Sequence, residues 1–279
     1  MRYSEIKPTA PLRRFVECFW TLEGDGSIDT SPAERILPDG CVELILNFGD
    51  RFHQHFEGEQ RLQPRNFLVG QMTGPILISP CGAVELLGIR FQPGATRPFV
   101  DVPAHEVTDR LVDLGGVSGK LERGLLSACG NVRTLADKVA AADAFLVSQL
   151  IERKYDSQLV ALAATIIDRR GLVSVHQLAS DAGVSNRQLE RRFQREVGIS
   201  PKLLARIVRF QQVFRAVEQG NAAWADVAVD CGYYDQPHLI RDFNQFAQQT
   251  PAVLFASQSP LTESFTRKAR TSHFSNTAA

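Results

Sequence analysis

Apolar positions in the C-terminal half of the chain follow a helical period, and their pattern occurs twice at an interval of about 50 residues. Five positions match in order: Ala179, Gly183, Leu189, Phe193 and Pro201 in the first copy, and Ala228, Gly232, Leu239, Phe243 and Pro251 in the second. The spacing is kept, apart from one residue inserted after the second copy's glycine. Such a repeat predicts that one small structural unit is built twice.

Each unit is predicted to be a helix, a glycine turn and a second helix. In the first unit Gly183 allows the left-handed turn that ends a helix. Ser185 and Gln188 then have the spacing of a capping box. Leu189 and Phe193 lie one turn apart and are expected to face inward. This pattern is typical of a helix-turn-helix, whose second helix enters the major groove of DNA.

The second unit repeats these signals and is joined to the first by an amphipathic helix. Asp235 is the predicted N-cap after Gly232, and Pro237 stands in the first turn, where its missing N–H costs nothing. The joining helix is predicted from Pro201 to Gln219, about 28 Å long at 1.5 Å per residue. Successive major-groove faces of DNA lie about 34 Å apart. We therefore expect the two units to reach adjacent groove segments of one duplex.

The outer faces of the second helices carry residue types that recognise bases. Arginine pairs with guanine O6 and N7, and Asn or Gln pairs with adenine. The residues predicted to read bases are Asn186, Arg187, Glu190, Arg191, Gln236, His238 and Arg241. Those predicted to bind phosphates are Arg192, Arg195, Lys202 and Arg206. For Glu190 two roles stay open, acceptance from a cytosine amine or an ion pair within its own helix.

The charge distribution supports this division, although the whole chain has a formal net charge of zero. Residues 1–159 contain 17 basic and 21 acidic side chains, whereas residues 160–279 contain 14 and 10. Between 185 and 215 there are eight basic residues and two acidic ones. A positive face of this kind is typical of nucleic-acid binding, and a helical bundle with a solvated basic face is the alternative.

The C-terminal stretch over residues 157–256 resembles the AraC/XylS-type bacterial transcription regulators. The resemblance rests on residues 178–185 and 232–243 and on the closing pair Thr250 and Pro251. It implies a DNA-binding domain of two helix-turn-helix units joined by a long helix.

The chain departs from that family in the second unit. The family usually has a basic residue just after Phe243 and a glycine shortly before the final Thr-Pro. Here those regions hold Asn244 and Gln245, and Gln248 and Gln249. Fewer charges there predict a weaker phosphate grip by the second unit.

The first 100 residues are punctuated by Pro and Gly between short apolar runs, which predict strands at about 41–48, 67–69, 76–78 and 84–91. From about residue 104 the pattern becomes helical. The resemblance implies a cupin-like effector barrel here, and residues 37–40 and 88–94 are similar to a recurring N-terminal subtype that identifies no effector.

We therefore predict an α+β protein of two domains, a small cupin-like β-barrel with packed helices and an all-α domain with two helix-turn-helix units. The predicted limits are 1–155 for the effector-binding and dimerisation domain, 156–258 for the DNA-binding domain and 259–279 for a mobile tail.

Three N-terminal residues, His53, His55 and Glu59, resemble the first metal motif of cupin enzymes. The second part of that motif is missing, because residues 92–99 contain no histidine. An exposed loop over residues 50–61 is the preferred interpretation, with pH or ligand sensing as a further option. No metal and no other cofactor is predicted.

A second N-terminal group, Trp20, Glu43 and Arg90, has two open interpretations. The three side chains line a pocket in which Arg90 binds a carboxylate, or Trp20 is core and Arg90 is the partner of a nearby acid.

The sequence thus predicts a cytoplasmic, sequence-specific DNA-binding transcription regulator without catalytic residues. The five cysteines are far apart and are expected to be buried, and no run reaches the roughly 18 apolar residues of a membrane span. Expected partners are double-stranded DNA, a small-molecule effector, RNA polymerase if the protein is an activator, and a second copy of the chain. The alternatives are a cupin-type metal-dependent enzyme fused to a DNA-binding module and a non-specific DNA-binding protein.

Overall fold

The computed structural model describes residues 1–25, 33–56, 58–150, 155–218 and 223–257. Within them, a β-rich N-terminal part with two long helices precedes a helical C-terminal part. The predicted two-domain α+β organisation is therefore confirmed. The predicted tail at 259–279 lies outside the described residues.

The N-terminal strands form two antiparallel sheets rather than one closed barrel. The strands are β1 (Arg2–Ile6), β2 (Val16–Gly24), β3 (Glu34–Ile36), β4 (Val42–Asn47), β5 (Phe52–Phe56), β6 (Glu59–Leu62), β7 (Asn66–Val69), β8 (Ile76–Pro80), β9 (Val84–Phe91) and β10 (Leu111–Asp113). One sheet has the order β1-β2-β9-β4-β7-β10, and the other has the order β3-β8-β5-β6. The four predicted strands correspond to β4, β7, β8 and β9.

The predicted exposed loop over residues 50–61 is wrong, because β5 and β6 form a hairpin there. In this hairpin β5 is hydrogen-bonded on both sides, so that His53 lies opposite Leu62 of β6 and Ser79 of β8. Backbone pairing on two edges makes this segment a strand in spite of its polar composition. The predicted start of helical structure also needs correction, since Leu111 belongs to β10 and the first long helix begins at Leu114.

Two helices, α1 (Leu114–Gly130) and α2 (Leu135–Gln149), cover one face of the six-stranded sheet. Leu121 and Leu125 of α1 and Leu146 of α2 belong to the same buried cluster as Leu44 and Leu87 of the sheet. The N-terminal part therefore has a core in which helices and sheet are packed together.

The C-terminal part is built around one central helix. Its helices are α3 (Ser157–Asp168), α4 (Val175–Asp181), α5 (Asn186–Glu196), α6 (Pro201–Glu218), α7 (Trp224–Asp230), α8 (Gln236–Phe246) and α9 (Pro251–Ala256). Helix α6 contacts α3, α5, α7 and α8. Phe210 and Phe214 of α6 pack against Phe243 of α8, with ring centroids 4.9 and 6.0 Å apart. These contacts hold both helix-turn-helix units on α6.

Helix α6 also contacts the N-terminal part through residues 37–41, which we call the 37–41 segment. Leu37 is 4% exposed and belongs to the C-terminal core cluster. The Gln211 amide nitrogen donates a hydrogen bond to the Pro38 carbonyl at 2.5 Å. Gly40 lies so close to α6 that an added Cβ would be 2.9 Å from Leu204 Cδ1. The segment therefore links β4 to the helix that joins the two units.

Two further hydrogen bonds cross between the two parts. The Thr108 hydroxyl donates to the Gly198 carbonyl at 2.9 Å, and the Arg35 guanidinium donates to the Ala247 carbonyl at 2.9 Å. The first reaches the turn between α5 and α6, and the second reaches the end of α8. Both units are thus tied to the N-terminal part.

Substitution of Gly40 tests the contact between the 37–41 segment and α6. Gly40 has φ +87°, so Gly40→Ala strains the backbone and also crowds the buried Leu204. The matched control is Gly58→Ala, because Gly58 has φ +76° and an added Cβ would meet nothing within 4 Å. We expect Gly58→Ala to cost about 1 kcal/mol and Gly40→Ala clearly more, measured by urea unfolding. Equal losses in the two variants would contradict a close contact at Leu204.

Candidate functional sites

The first helix-turn-helix unit consists of α4, a turn at Gly183 and α5. Gly183 has φ +67°, a left-handed conformation that glycine adopts without strain. Ser185 is the N-cap of α5, and its hydroxyl accepts from the Gln188 backbone N–H at 3.3 Å. The Gln188 side chain accepts in return from the Ser185 backbone N–H at 2.9 Å. The capping box predicted from the sequence is therefore present, and it fixes where α5 begins.

The second unit consists of α7, a turn at Gly232 and α8. Gly232 has φ +75°, and a Cβ there would lie 2.1 Å from Leu172 Cδ2. Asp235 is the N-cap of α8 and accepts from the His238 backbone N–H at 2.7 Å. Pro237 stands in the first turn of α8. The two units thus use the same local construction at opposite ends of α6.

The outer face of α5 is exposed. It carries Asn186, Arg187, Glu190 and Arg191. Neither arginine has an ion pair or a side-chain hydrogen bond with any other described residue, and Glu190 pairs with neither of them. Of the two roles predicted for Glu190, the ion pair within its own helix is not formed among the described residues. Two cations on one helix face are available to an external partner.

On α8, Arg241 is exposed and has no ion pair with the described part of the chain. Gln236 and His238 are half-buried, and the His238 ring packs edge-on against Tyr233 with centroids 5.2 Å apart. The second unit therefore presents one free arginine, whereas the first presents two.

Two of the four residues predicted to bind phosphates have structural partners instead. Arg192 forms a bidentate pair with Asp156, the N-cap of α3, at 2.7–2.9 Å. Arg206 pairs at 2.6 Å with Asp242, which is 1% exposed, and also donates to Gln245. These ion pairs hold helices together, and phosphate binding by Arg192 and Arg206 stays a prediction.

The other two predicted phosphate residues, Arg195 and Lys202, are exposed. The Arg195 guanidinium lies 3.2 Å from the Glu196 carboxylate on the same helix. An exposed pair of this kind is weak and leaves Arg195 able to bind another anion.

Removal of the Arg206 guanidinium is expected to destabilise the protein. Arg206→Ala leaves the Asp242 carboxylate buried without its cation, a loss of about 3 kcal/mol. Arg206→Ala combined with Asp242→Asn removes the stranded charge and should recover part of that loss. The control is Arg195→Ala, which breaks an exposed pair and should cost under about 1 kcal/mol. Urea unfolding compares the three proteins, and equal losses for Arg206→Ala and Arg195→Ala would contradict this role.

The residues resembling a cupin metal motif are not brought together. His53 Nδ1 lies 3.3 Å from Cys81 Sγ, His55 Nε2 lies 2.8 Å from Ser79 Oγ, and Glu59 pairs with Arg61. Within the described ranges, no group of three or more His, Cys, Asp or Glu side chains is placed to hold a metal ion. These residues therefore give no support to the metalloenzyme alternative.

The cysteines are only partly as predicted. Cys18, Cys41, Cys129 and Cys231 are buried, but Cys81 at the start of the β8–β9 turn is exposed. Desolvation by its neighbours raises the pKa of the Cys81 thiol, the opposite of what an activated nucleophile needs. The raised pKa therefore gives no support to a nucleophile–base pair of Cys81 with His53.

A cavity lies between the two N-terminal sheets and is bounded on one side by α6. Its enclosed space measures about 80 Å³, and the figure rises to about 900 Å³ when the open mouth and its solvent are included. Most of its wall is apolar, and the larger side chains are Trp20, Leu22, Ile45, Phe52, Phe67 and Ile78. Its polar lining includes Asp39, Glu43, Arg90 and Gln211. Trp20, Glu43 and Arg90, grouped by the sequence, thus meet at one cavity.

Arg90 is held by the protein's own carboxylates. Its side chain is 2% exposed, and Nε lies 2.6 Å from Glu43 and 3.3 Å from Asp39, while Nη1 lies 3.4 Å from Glu5. Burial opposes the charge, but Glu43 and the other anionic groups nearby raise the pKa of Arg90 well above its usual value. Burial also raises the pKa of Glu5. Of the two interpretations that the sequence left open for Arg90, the structure shows the pairing with nearby acids.

No helix in the described segments combines the length and the apolar content needed to cross a bilayer.

Two family models match separate parts of the chain. Residues 4–113 match "Domain of unknown function (DUF6597)", and residues 178–257 match "Helix-turn-helix domain". A relative from Mycobacterium tuberculosis, named "Probable bifunctional transcriptional activator/DNA repair enzyme AlkA", is 36% identical over 114 residues. The match covers 39% of this chain and 22% of that protein, so this chain spans a minor part of its relative.

Solved structures of ToxT from Vibrio cholerae are also similar. An apo form has 8% identity and a TM-score of 0.46, with 86% of this chain and 98% of that chain covered. A complex of ToxT with an unsaturated fatty acid has 10% identity and a TM-score of 0.46, with 91% and 97% covered.

Proposed function

We propose that the C-terminal part of this chain is a DNA-binding domain of the AraC type of bacterial transcription regulators, and that its two units read successive major-groove segments of one duplex. The observation that carries the proposal is the set of free arginines on two equivalent helices. Arg187 and Arg191 project from α5, and Arg241 projects from α8. Arginine at these positions suits bidentate recognition of guanine.

The spacing of the units supports this arrangement. Helix α6 has 18 residues and is therefore about 27 Å long, close to the roughly 34 Å between major-groove faces. Its burial against both units makes it a rigid spacer. A single chain can then place α5 and α8 in adjacent groove segments without a second copy.

We also propose that a small-molecule effector binds in the cavity of the N-terminal part. The cavity shares a wall with the DNA-binding part, because Gln211 of α6 lines it. A ligand that displaces this wall would therefore shift α6, the helix that sets the spacing of the two units. We place no catalytic role on any residue, and the repair activity in the name of the mycobacterial relative stays a property of that protein.

Selection from a randomised duplex pool at about 0.15 M salt tests the paired readout, since this salt level suppresses weak non-specific binding. We expect an enriched motif of two parts whose centres lie about one helical turn, or 10–10.5 base pairs, apart. Binding without any sequence preference, and with a steep salt dependence, would favour the non-specific alternative.

Substitution of single arginines separates base contacts from phosphate contacts. Arg191→Ala should cost about 1–3 kcal/mol on the selected duplex and relax the preference at one base position. The control is Arg195→Ala on the same helix, which should weaken binding to all sequences to a similar degree and reduce the salt slope by about one. Fluorescence anisotropy with matched and mismatched duplexes measures both. Uniform weakening by Arg191→Ala would assign that side chain to the phosphates.

A further inference from the structure

The polar end of the cavity offers hydrogen-bond acceptors that have no donor. Glu43 Oε1 accepts two hydrogen bonds, one from Trp20 Nε1 at 3.2 Å and one from Arg90 Nε at 2.6 Å. Its second oxygen, Oε2, accepts no hydrogen bond from the described residues. One carboxylate oxygen of a cavity-lining residue is therefore open to a ligand.

Gln211 provides a second acceptor from the opposite wall. Its amide nitrogen donates to the Pro38 carbonyl at 2.5 Å, and this bond fixes the orientation of the amide, because the reversed amide would face oxygen to oxygen. The amide oxygen Oε1 is buried and has no hydrogen-bond partner in the described part of the chain. Buried polar atoms are nearly always paired, so an unpaired one at a cavity wall indicates a missing donor.

The charge at this end of the cavity is negative. Among the lining residues, Asp39 and Glu43 outnumber the single guanidinium of Arg90. Glu5 also pairs with Arg90 but is not among the lining residues, so it does not enter this comparison. A carboxylate ligand would meet like charges in a poorly solvated site, which is costly. A cation would meet opposite charges there.

The remaining wall suits an apolar body with aromatic character. Trp20, Phe52 and Phe67 contribute ring surfaces, and the face of an aromatic ring attracts a cation. We propose that the cavity binds an apolar ligand with a cationic nitrogen, a protonated amine or amidine, whose N–H groups are accepted by Glu43 and Gln211. This inference rests on the proposed effector role of the cavity and names the chemistry of the effector.

Three probes of the same shape test the proposal. They are 4-phenylbutylamine, 4-phenylbutanol and 4-phenylbutanoate, which carry a cation, a neutral hydroxyl and an anion on one apolar body. Isothermal titration calorimetry of the full chain at pH 7 gives the affinity for each. We expect the amine to bind at least about tenfold more tightly than the alcohol, and the carboxylate to bind most weakly.

Variants assign the preference to the two acceptors. Glu43→Gln should reduce the preference for the amine over the alcohol to within about threefold, because it removes the charge and keeps the shape. Gln211→Leu, on a different element, should weaken amine binding without making the carboxylate bind better. The control is Glu23→Gln, which removes a carboxylate paired with Arg2 outside the cavity lining and should leave all three affinities unchanged.

Each contrary outcome overturns the proposal. These outcomes are equal or tighter binding of the carboxylate, binding of none of the three probes, and an unchanged amine preference in both cavity variants. The duplex selection is independent of these measurements, because it probes α5 and α8. A positive selection with negative probe binding would leave the paired DNA readout standing and remove only the cationic ligand.

Discussion

Helix α6 is the element on which the rest of the structure depends, because nearly every face of it is in use. One face builds the C-terminal core with Phe210 and Phe214, and another receives Leu37 from the N-terminal part. Gln211 then binds the 37–41 segment and lines the cavity. A helix that is packed on several sides has few alternative positions, since close-packed interiors resist small displacements. The position of α6 therefore sets both the spacing of the two units and the shape of one cavity wall.

The arginines of the C-terminal part divide according to this packing. Arg192 and Arg206 are partly buried and pair with Asp156 and Asp242, so their charges stabilise contacts between helices. Arg187, Arg191 and Arg241 stand on exposed helix faces and form no ion pair with any described residue. The positive surface that remains is smaller than the sequence indicates, but it lies on the second helices of the two units. Under the proposed paired readout, affinity for DNA would depend on few contacts in each groove segment.

The sequence predicts the C-terminal part well because its signals are local. The glycine turns, the capping box at Ser185 and the proline in α8 each act within a few residues, and all of them are present in the structure. The roles of Arg192 and Arg206 could not be separated from those of their neighbours. Both acidic partners are 36 residues away along the chain, and no local pattern links them.

In the N-terminal part the sequence predicts the strands that are apolar runs. It misses strands that contain polar residues and are placed only by pairing with neighbouring strands. The long strand β2 contains Glu17 and Thr21 among apolar residues, and it is placed by hydrogen bonds to β1 and β9. The hairpin of β5 and β6 is also polar, and its strands are likewise placed by backbone pairing. The sequence groups Trp20, Glu43 and Arg90 but not Gln211. Gln211 belongs to α6, and the apolar period of that helix indicates only which of its faces packs in the C-terminal core. The polar lining residue that the sequence misses thus belongs to the other part of the chain.

This shared wall gives a physical route from a ligand to DNA binding. A ligand shifts an equilibrium only by as much as it binds one conformation better than another. The Gln211 amide nitrogen is held by the Pro38 carbonyl, so the position of its unpaired oxygen depends on the contact between α6 and the 37–41 segment. A ligand can donate to that oxygen only while this contact is kept. A donor in the cavity would therefore favour this arrangement of the two parts over any in which α6 moves away. By reciprocity, a duplex that requires α6 elsewhere would lower the affinity for the ligand by the same factor.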